Sequence, residues 1–180
     1  MTQATTLDIT PAAAADVPLL LALIKELAEF EKLQQYVTAT EESLRRALFA
    51  ERAGPEAVIA RLAGEPAGYA LYFHNFSTFL GKRGLYLEDL FVRPAFRGRA
   101  VGKSLLAYVA NLAVQRDCGR FEWAVLDWNQ PAREFYKSLG AVANSVWINY
   151  HITGEALLRL SYCGGLSPWP EARGNTKRTP

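Results

Sequence analysis

Two hydrophobic periods alternate along this chain. Short apolar or alternating runs predict strands at Leu7–Thr10, Ala57–Leu62, Ala67–Phe73, Leu85–Val92, Phe121–Leu126 and Trp147–Thr153. Between them, apolar residues recur at helical spacing. Leu20, Ile24, Leu27 and Glu31 fall on one stripe, with Leu23 and Phe30 beside it. Asp16 stands as the N-cap of that helix, with Pro18 in its first turn. Thr40 caps a second helix to about Ala50, and Glu41 and Glu42 suit its positive end. Val101, Leu105, Val109 and Leu112 mark the core face of a third helix, from about Gly98 to Asp117, with Gly119 suited to its C-terminal cap. A short helix, Ala132–Leu139, begins after Pro131 and ends at Gly140, and Glu155–Ser161 has room for a last turn or two.

The connections are also predicted from chemistry. Ala63-Gly64-Glu65-Pro66 reads as a hairpin turn, Asn75–Gly84 as a polar loop carrying aromatics, and His74 as a surface or packing residue rather than a catalyst. Gly164–Pro180 is rich in Gly, Pro and polar residues and reads as a tail or an arm lying on a partner. The expected organisation is one domain over residues 1–163 and a tail over 164–180. Its class is α/β or α+β, built on one mixed sheet flanked by helices.

Composition narrows the function. The 180 residues are half hydrophobic and carry a net charge of only +2, so no broad basic face for nucleic acid or membrane is forced. Two cysteines, Cys118 and Cys163, make no disulfide framework, and neither sits in a metal-like cluster. No signal-peptide pattern opens the chain. The expectation is a cytoplasmic protein with no metal, and with neither nucleic acid nor membrane as partner.

The chemistry gathers in Leu85–Ser104, LYLEDLFVRPAFRGRAVGKS. A strand ends at Pro94, a basic turn follows, and a helix begins. Turn and first helical turn together expose backbone N–H groups and a positive dipole end, which is a way to hold phosphate. Arg97, Arg99 and Lys103 add charge. A P-loop would need Gly where Arg97 stands, and a Rossmann fingerprint would need a third Gly beside Gly98 and Gly102.

The turn does resemble that of the GCN5-related N-acetyltransferases (GNAT), [QR]-x-x-G-x-[GA]. Arg97 and Gly102 match it, and Ala100 stands where that family usually has Gly. A second family pattern, N-x-x-[AS]-x-x-[FL]-Y-x-x-x-G-[AF], fits Asn129, Ala132, Phe135, Tyr136, Gly140 and Ala141. LIKELAEFE, LYLEDLFV and VLDWNQPAREFYKSLGA resemble the diamine and thialysine acetyltransferases, and the likeness runs from about Asp8 to Leu160.

The resemblance implies a GNAT fold with a mostly antiparallel sheet, acetyl-CoA as cosubstrate, a small-molecule amine as acceptor, and a homodimer. It implies that Arg97, Gly98, Arg99, Ala100, Val101, Gly102, Lys103 and Ser104 hold the pyrophosphate. Leu90, Phe91 and Val92 would offer backbone groups to the pantetheine arm, and Asn129 would touch CoA. Tyr136 matches the general acid: a phenol of pKa about 10 stays protonated beside a thiolate of pKa near ~8.5. Glu88 would bind the cationic amine, of pKa about 10.4, and take its proton through water. Phe30, Glu31 and Asp89 match substrate-contacting positions. Alternation sends Asp89 to the face opposite Glu88 unless the strand bulges. Ser77 and Phe79 replace an Asp and a Trp of the polyamine enzymes, Gln34 and Gln35 replace acids, and the acidic pair before Trp147 is missing. A long polycation needs spaced carboxylates, so these changes argue against spermidine. The competing reading is a CoA-binding sensor or dimeric module with little catalysis. Retention of Glu88 and Tyr136 favours the enzyme.

Overall fold

A computed structural model describes residues 6–51 and 53–162, so the predicted tail lies outside the described residues. These residues form two compact units, one up to Asn129 and one from Gln130.

The first unit is a five-stranded sheet in sequential order: β1 (Leu7–Pro11), β2 (Glu56–Leu62), β3 (Glu65–Ser77), β4 (Lys82–Val92) and β5 (Phe121–Trp123). All neighbours are antiparallel except β4 and β5, which run parallel. A parallel neighbour needs a crossover, and helix α3 (Val101–Gln115) supplies it. Helices α1 (Val17–Glu31) and α2 (Glu41–Phe49) precede β2. Leu20 and Leu23 of α1 and Leu48 of α2 bury against Ile59, Tyr69, Leu71 and Phe91 on one sheet face. Leu85 and Leu87 bury on the other, where α3 packs with Val101, Leu105 and Val109. Each fully buried Leu or Val contributes roughly 1.5–3 kcal/mol relative to exposure, so the sheet's position between these helices is strongly fixed.

Five expectations are corrected. Asn75–Gly84 is not a loop. β3 continues to Ser77 and β4 begins at Lys82, with Asn75 opposite Gly84 and Phe76 opposite Arg83. Polar residues hide the alternation there because this stretch has a solvent-facing side. Trp147–Thr153 has no strand, and β5 ends at Trp123 rather than at Leu126. Asp16 occupies the start of α1 but does not cap it. Its carboxylate accepts from the Ala13 N–H (2.9 Å) and from Arg61 (2.9 Å). At the end of α3, Asp117 and not Gly119 takes the left-handed position, with φ 50°. Gly119 is small for another reason: a Cβ there would come within 3.0 Å of Leu80.

Elsewhere the local chemistry works as read. Ser43 donates its backbone N–H to the Thr40 hydroxyl (3.1 Å), capping α2. Ala63 and Gly64, both with positive φ, form the β2–β3 turn. The second unit holds α4 (Gln130–Ser138) and α5 (Gly154–Tyr162). Gly140, at φ 87°, ends α4, and Ala141 donates back to the Tyr136 carbonyl (3.1 Å).

Candidate active site

The site is built on the second half of β4. On one side β4 pairs with β5 only from Leu85 to Leu87, so beyond Leu87 that edge offers free backbone groups. On the other side, Leu71 stands opposite Asp89 and Tyr72 opposite Leu87, which leaves Glu88 as an extra, bulged residue. The bulge resets the alternation, so Asp89 lies on the face that carries Tyr86. Charge on Glu88 acts on Tyr69 and Tyr86, and charge on Asp89 acts on Glu88. Tyr69, Tyr86 and Asp89 all share that face, so both acids work on the same side of the sheet. The bulge that alternation required for this is present.

Three carboxylates share this neighbourhood. Burial is the larger cause, and the Asp89 charge the smaller, of raised pKa values at both Glu88 and Glu31. Glu31 is also the last residue of α1, where the helix dipole disfavours an acid. Asp89 is raised by burial, partly offset by the Tyr69 hydroxyl, which donates to it at 2.8 Å. Among the described residues, none of the three forms an ion pair with a cation. Such a group attracts a cation from outside and holds carboxylates poised to accept a proton. No cluster of three or more His, Cys, Asp or Glu among the described residues is arranged to hold a metal.

Below the free edge lies the basic turn. Gly98 has φ 74° and Ala100 φ 61°, and Ala100 is the residue that starts α3. A methyl in the left-handed region costs roughly 1–2 kcal/mol, so the turn is held there by its surroundings. No side chain caps α3, and its first backbone bond runs from Ser104 to the Ala100 carbonyl (2.9 Å). The N–H groups of Val101, Gly102 and Lys103 therefore have no partner inside the helix. A Cβ on Gly102 would meet only Val92 Cγ2, at 3.5 Å, so the glycine keeps that approach open rather than avoiding a clash. Arg99 and Lys103 are exposed beside it. A pyrophosphate fits these residues: uncapped donors, the cations Arg99 and Lys103 with no ion pair among the described residues, and no acid in the first turn.

The side chain of Arg97 is turned toward β4 and α1. Its Nε donates to the Val92 carbonyl (3.0 Å), and its guanidinium lies 4.6 Å over the Phe30 ring. Phe30 in turn meets Trp128 at 5.9 Å. Leu90 and Val92 are half-buried on the free stretch of β4, while the Phe91 side chain belongs to the core. Asn129 donates its backbone N–H to Leu126 (3.0 Å), closing the turn after β5. In the second unit, Tyr136 sits half-buried on α4, and burial pushes its phenol above the ordinary value.

Three contributors were not read from the sequence. Tyr69 looks like any strand aromatic, and only the pairing shows that it reaches Asp89. Arg93 donates from Nε and Nη2 to Glu26 (2.6–3.2 Å) and from Nη1 to the Pro66 carbonyl, fixing α1 to the end of β4. Trp128 reads as a turn residue, and its contact with Phe30 spans distant parts of the chain.

The sequence profile of the acetyltransferase (GNAT) family matches residues 21–141. The chain belongs to the GNAT acetyltransferase family. Among its relatives, thialysine N-epsilon-acetyltransferase of Sus scrofa is 38% identical over 164 residues, covering 85% of this chain and 96% of the relative. L-ornithine N5-acetyltransferase NATA1 of Arabidopsis thaliana is 31% identical and covers 81% and 84%. An integron cassette protein from the mobile metagenome of V. cholerae superposes with a TM-score of 0.74 at 26% identity, over 88% of this chain and 99% of that one. This GNAT enzyme is an N-acetyltransferase, and its strand β4, which parts from β5 after Leu87, runs on toward the basic turn before α3.

Proposed function

We propose that this N-acetyltransferase acetylates the terminal primary amine of a short cationic substrate, a lysine-like amino acid or a diamine, using acetyl-CoA. The observation that carries the reading is the unpaired carboxylate group of Glu31, Glu88 and Asp89 beside the free edge of β4. A relative named for thialysine and another named for ornithine support the substrate class. So does the loss of the outlying acids that a longer polycation needs.

When bound, acetyl-CoA supplies a thioester, an acyl group activated for transfer to nitrogen. Val101, Gly102, Lys103 and Arg99 would hold its pyrophosphate, and the backbone of Leu90 and Val92 its pantetheine arm. Glu31 and Asp89 draw the ammonium in. Glu88, with its raised pKa, takes the ammonium proton at a carboxylate oxygen, directly or through one water. Tyr136 keeps its phenolic proton at neutral pH and so has one to give to a departing thiolate.

The reading includes a homodimer in the cytoplasm. Trp147, Ile148 and Tyr150 are 68%, 75% and 91% exposed, a cluster of apolar residues that a second copy would cover. Light scattering at micromolar protein checks the dimer, and a monomer there would remove it. The activity is tested by thiol release over a panel of thialysine, ornithine, lysine, short diamines and spermidine. Turnover should be greatest with the short amines and low with spermidine. CoA binding without turnover on any amine would instead support the sensor reading.

A further inference from the structure

The side chain of Arg97 connects the cofactor turn to the amine side of the site. It leaves the turn expected to hold phosphate, donates from Nε to the Val92 carbonyl at 3.0 Å, and lays its guanidinium 4.6 Å from the centre of the Phe30 ring. Phe30 and Trp128 meet at 5.9 Å with planes tilted by 54°, and both are partly open, 38% and 51% exposed. Next to Phe30 is Glu31. A positive charge therefore already sits over one ring of an aromatic pair, and that ring is one residue from Glu31 in the chain.

We propose that the Phe30–Trp128 pair is the seat for a second, distal cationic group of the amine substrate, and that Arg97 fills this seat from within until the cofactor binds. The proposal rests on the amine reading given above. Its physical basis is a comparison of contacts. A guanidinium on an aromatic face at a half-exposed site is held weakly, and a bond to a neutral carbonyl is weaker than one to a phosphate oxygen. The Val92 carbonyl also lies on the free stretch of β4 that would pair with pantetheine. Both of Arg97's contacts are thus open to exchange when the cofactor occupies its turn, and that exchange bares the Phe30 ring. A substrate cation takes the vacated face. Amine and cofactor then bind with positive coupling, and the coupling is reciprocal.

Calorimetry on the full-length protein tests this without turnover. Ornithine and a simple diamine, each carrying a second cation, are titrated with and without saturating CoA. So is propylamine, which has none. For the wild type we expect CoA to tighten the dicationic amines by roughly 3- to 30-fold, the range of one cation–π contact, and to leave propylamine unchanged. Arg97→Gln should bind the dicationic amines tightly without CoA and gain little from it. Trp128→Ala should weaken them in both states while CoA affinity stays the same. Arg97 is exposed, so its variant should fold, and circular dichroism confirms that. Coupling of equal size for propylamine, or coupling that persists in Arg97→Gln, overturns the internal-cation proposal. Absence of acetyl transfer to any amine in the thiol-release panel would instead remove the amine reading beneath it.

Discussion

Two acidic regions on the same sheet are handled in opposite ways. At the start of β2, Glu56 meets Arg116 through both carboxylate oxygens, one of them at 2.8 Å from Nη2. Arg116 also reaches His74 Nε2 at 3.2 Å, and His74 Nδ1 lies 3.2 Å from the Gly84 carbonyl. The Arg116 hydrogen bond, outweighing burial, holds the Glu56 carboxyl below its ordinary value. In the other region, Glu31, Glu88 and Asp89 share one neighbourhood with a phenol and, among the described residues, no paired cation, and all three are pushed up. The fold pairs an acid where it needs a brace. Where acids have no cation partner among the described residues, the proposed function has that cation arrive with the substrate.

The largest expected effect lies in the unpaired region. Glu88→Gln should lower kcat/KM by about 10²- to 10⁴-fold, the usual range for losing a general base. Part of the loss should return at high pH, where the free amine is more abundant. Glu56→Gln should leave kcat/KM within about twofold, because this acid serves structure alone. Equal losses in the two variants, measured by steady-state kinetics across pH, would break the comparison.

The paired region should show its role in stability. Removing the Glu56 charge leaves Arg116 without its carboxylate, at a cost of about 1 kcal/mol, the upper end for an exposed bidentate pair. For a domain of this size that is a Tm lower by roughly 2–4 °C. The sign follows from the lowered pKa. The unfolded chain takes up its proton at higher pH than the folded one, near the ordinary 4.5. The stabilisation is therefore full above that value and fades as pH falls through the folded value. Thermal melts at pH 7 and pH 3 should show the gap between wild type and Glu56→Gln closing in acid.

This contrast was only partly legible in the sequence. Alternation and helical spacing placed nearly every element of the first unit, because the core of Leu20, Leu23, Leu85, Leu87 and Leu105 carries its pattern openly. The turn before α3 and the short helix that carries Tyr136 were readable from motifs as structure. What could not be read depends on pairing register. The bulge at Glu88 leaves no trace in residue type, yet it decides that Glu88 and Asp89 act on one side. The strand over Asn75–Ser77 was hidden by its polar solvent face, so His74 could not be seen near Glu56 and Arg116. The partnerships of Tyr69 with Asp89 and of Arg97 with Phe30 are likewise tertiary, and no local rule forecasts them.

The smallest effect is also the most direct test of the idea, since it predicts a gain. Asp89 sits largely buried among other acids, and its raised pKa means that the folded protein holds this proton more tightly than the unfolded chain does. As pH rises above the ordinary value of 3.8, the unfolded chain gives up the proton first. Folding stability is then lost progressively until the folded group has ionised too. Asp89→Asn removes that penalty and keeps the acceptor for the Tyr69 hydroxyl, because the amide oxygen replaces the carboxylate oxygen. The variant should be more stable than wild type at pH 7 by on the order of 0.5–1 kcal/mol, in line with relieving a strained functional site. The advantage should vanish near pH 3, where wild-type Asp89 is neutral. Its effect on pH-dependent melting is thus opposite to that of Glu56→Gln, while amine affinity should fall. A lower Tm for Asp89→Asn at pH 7, with the Tyr69 environment intact by near-ultraviolet circular dichroism, would mean that Asp89 braces the fold as Glu56 does, and the unpaired-acid account of the site would fail at its centre.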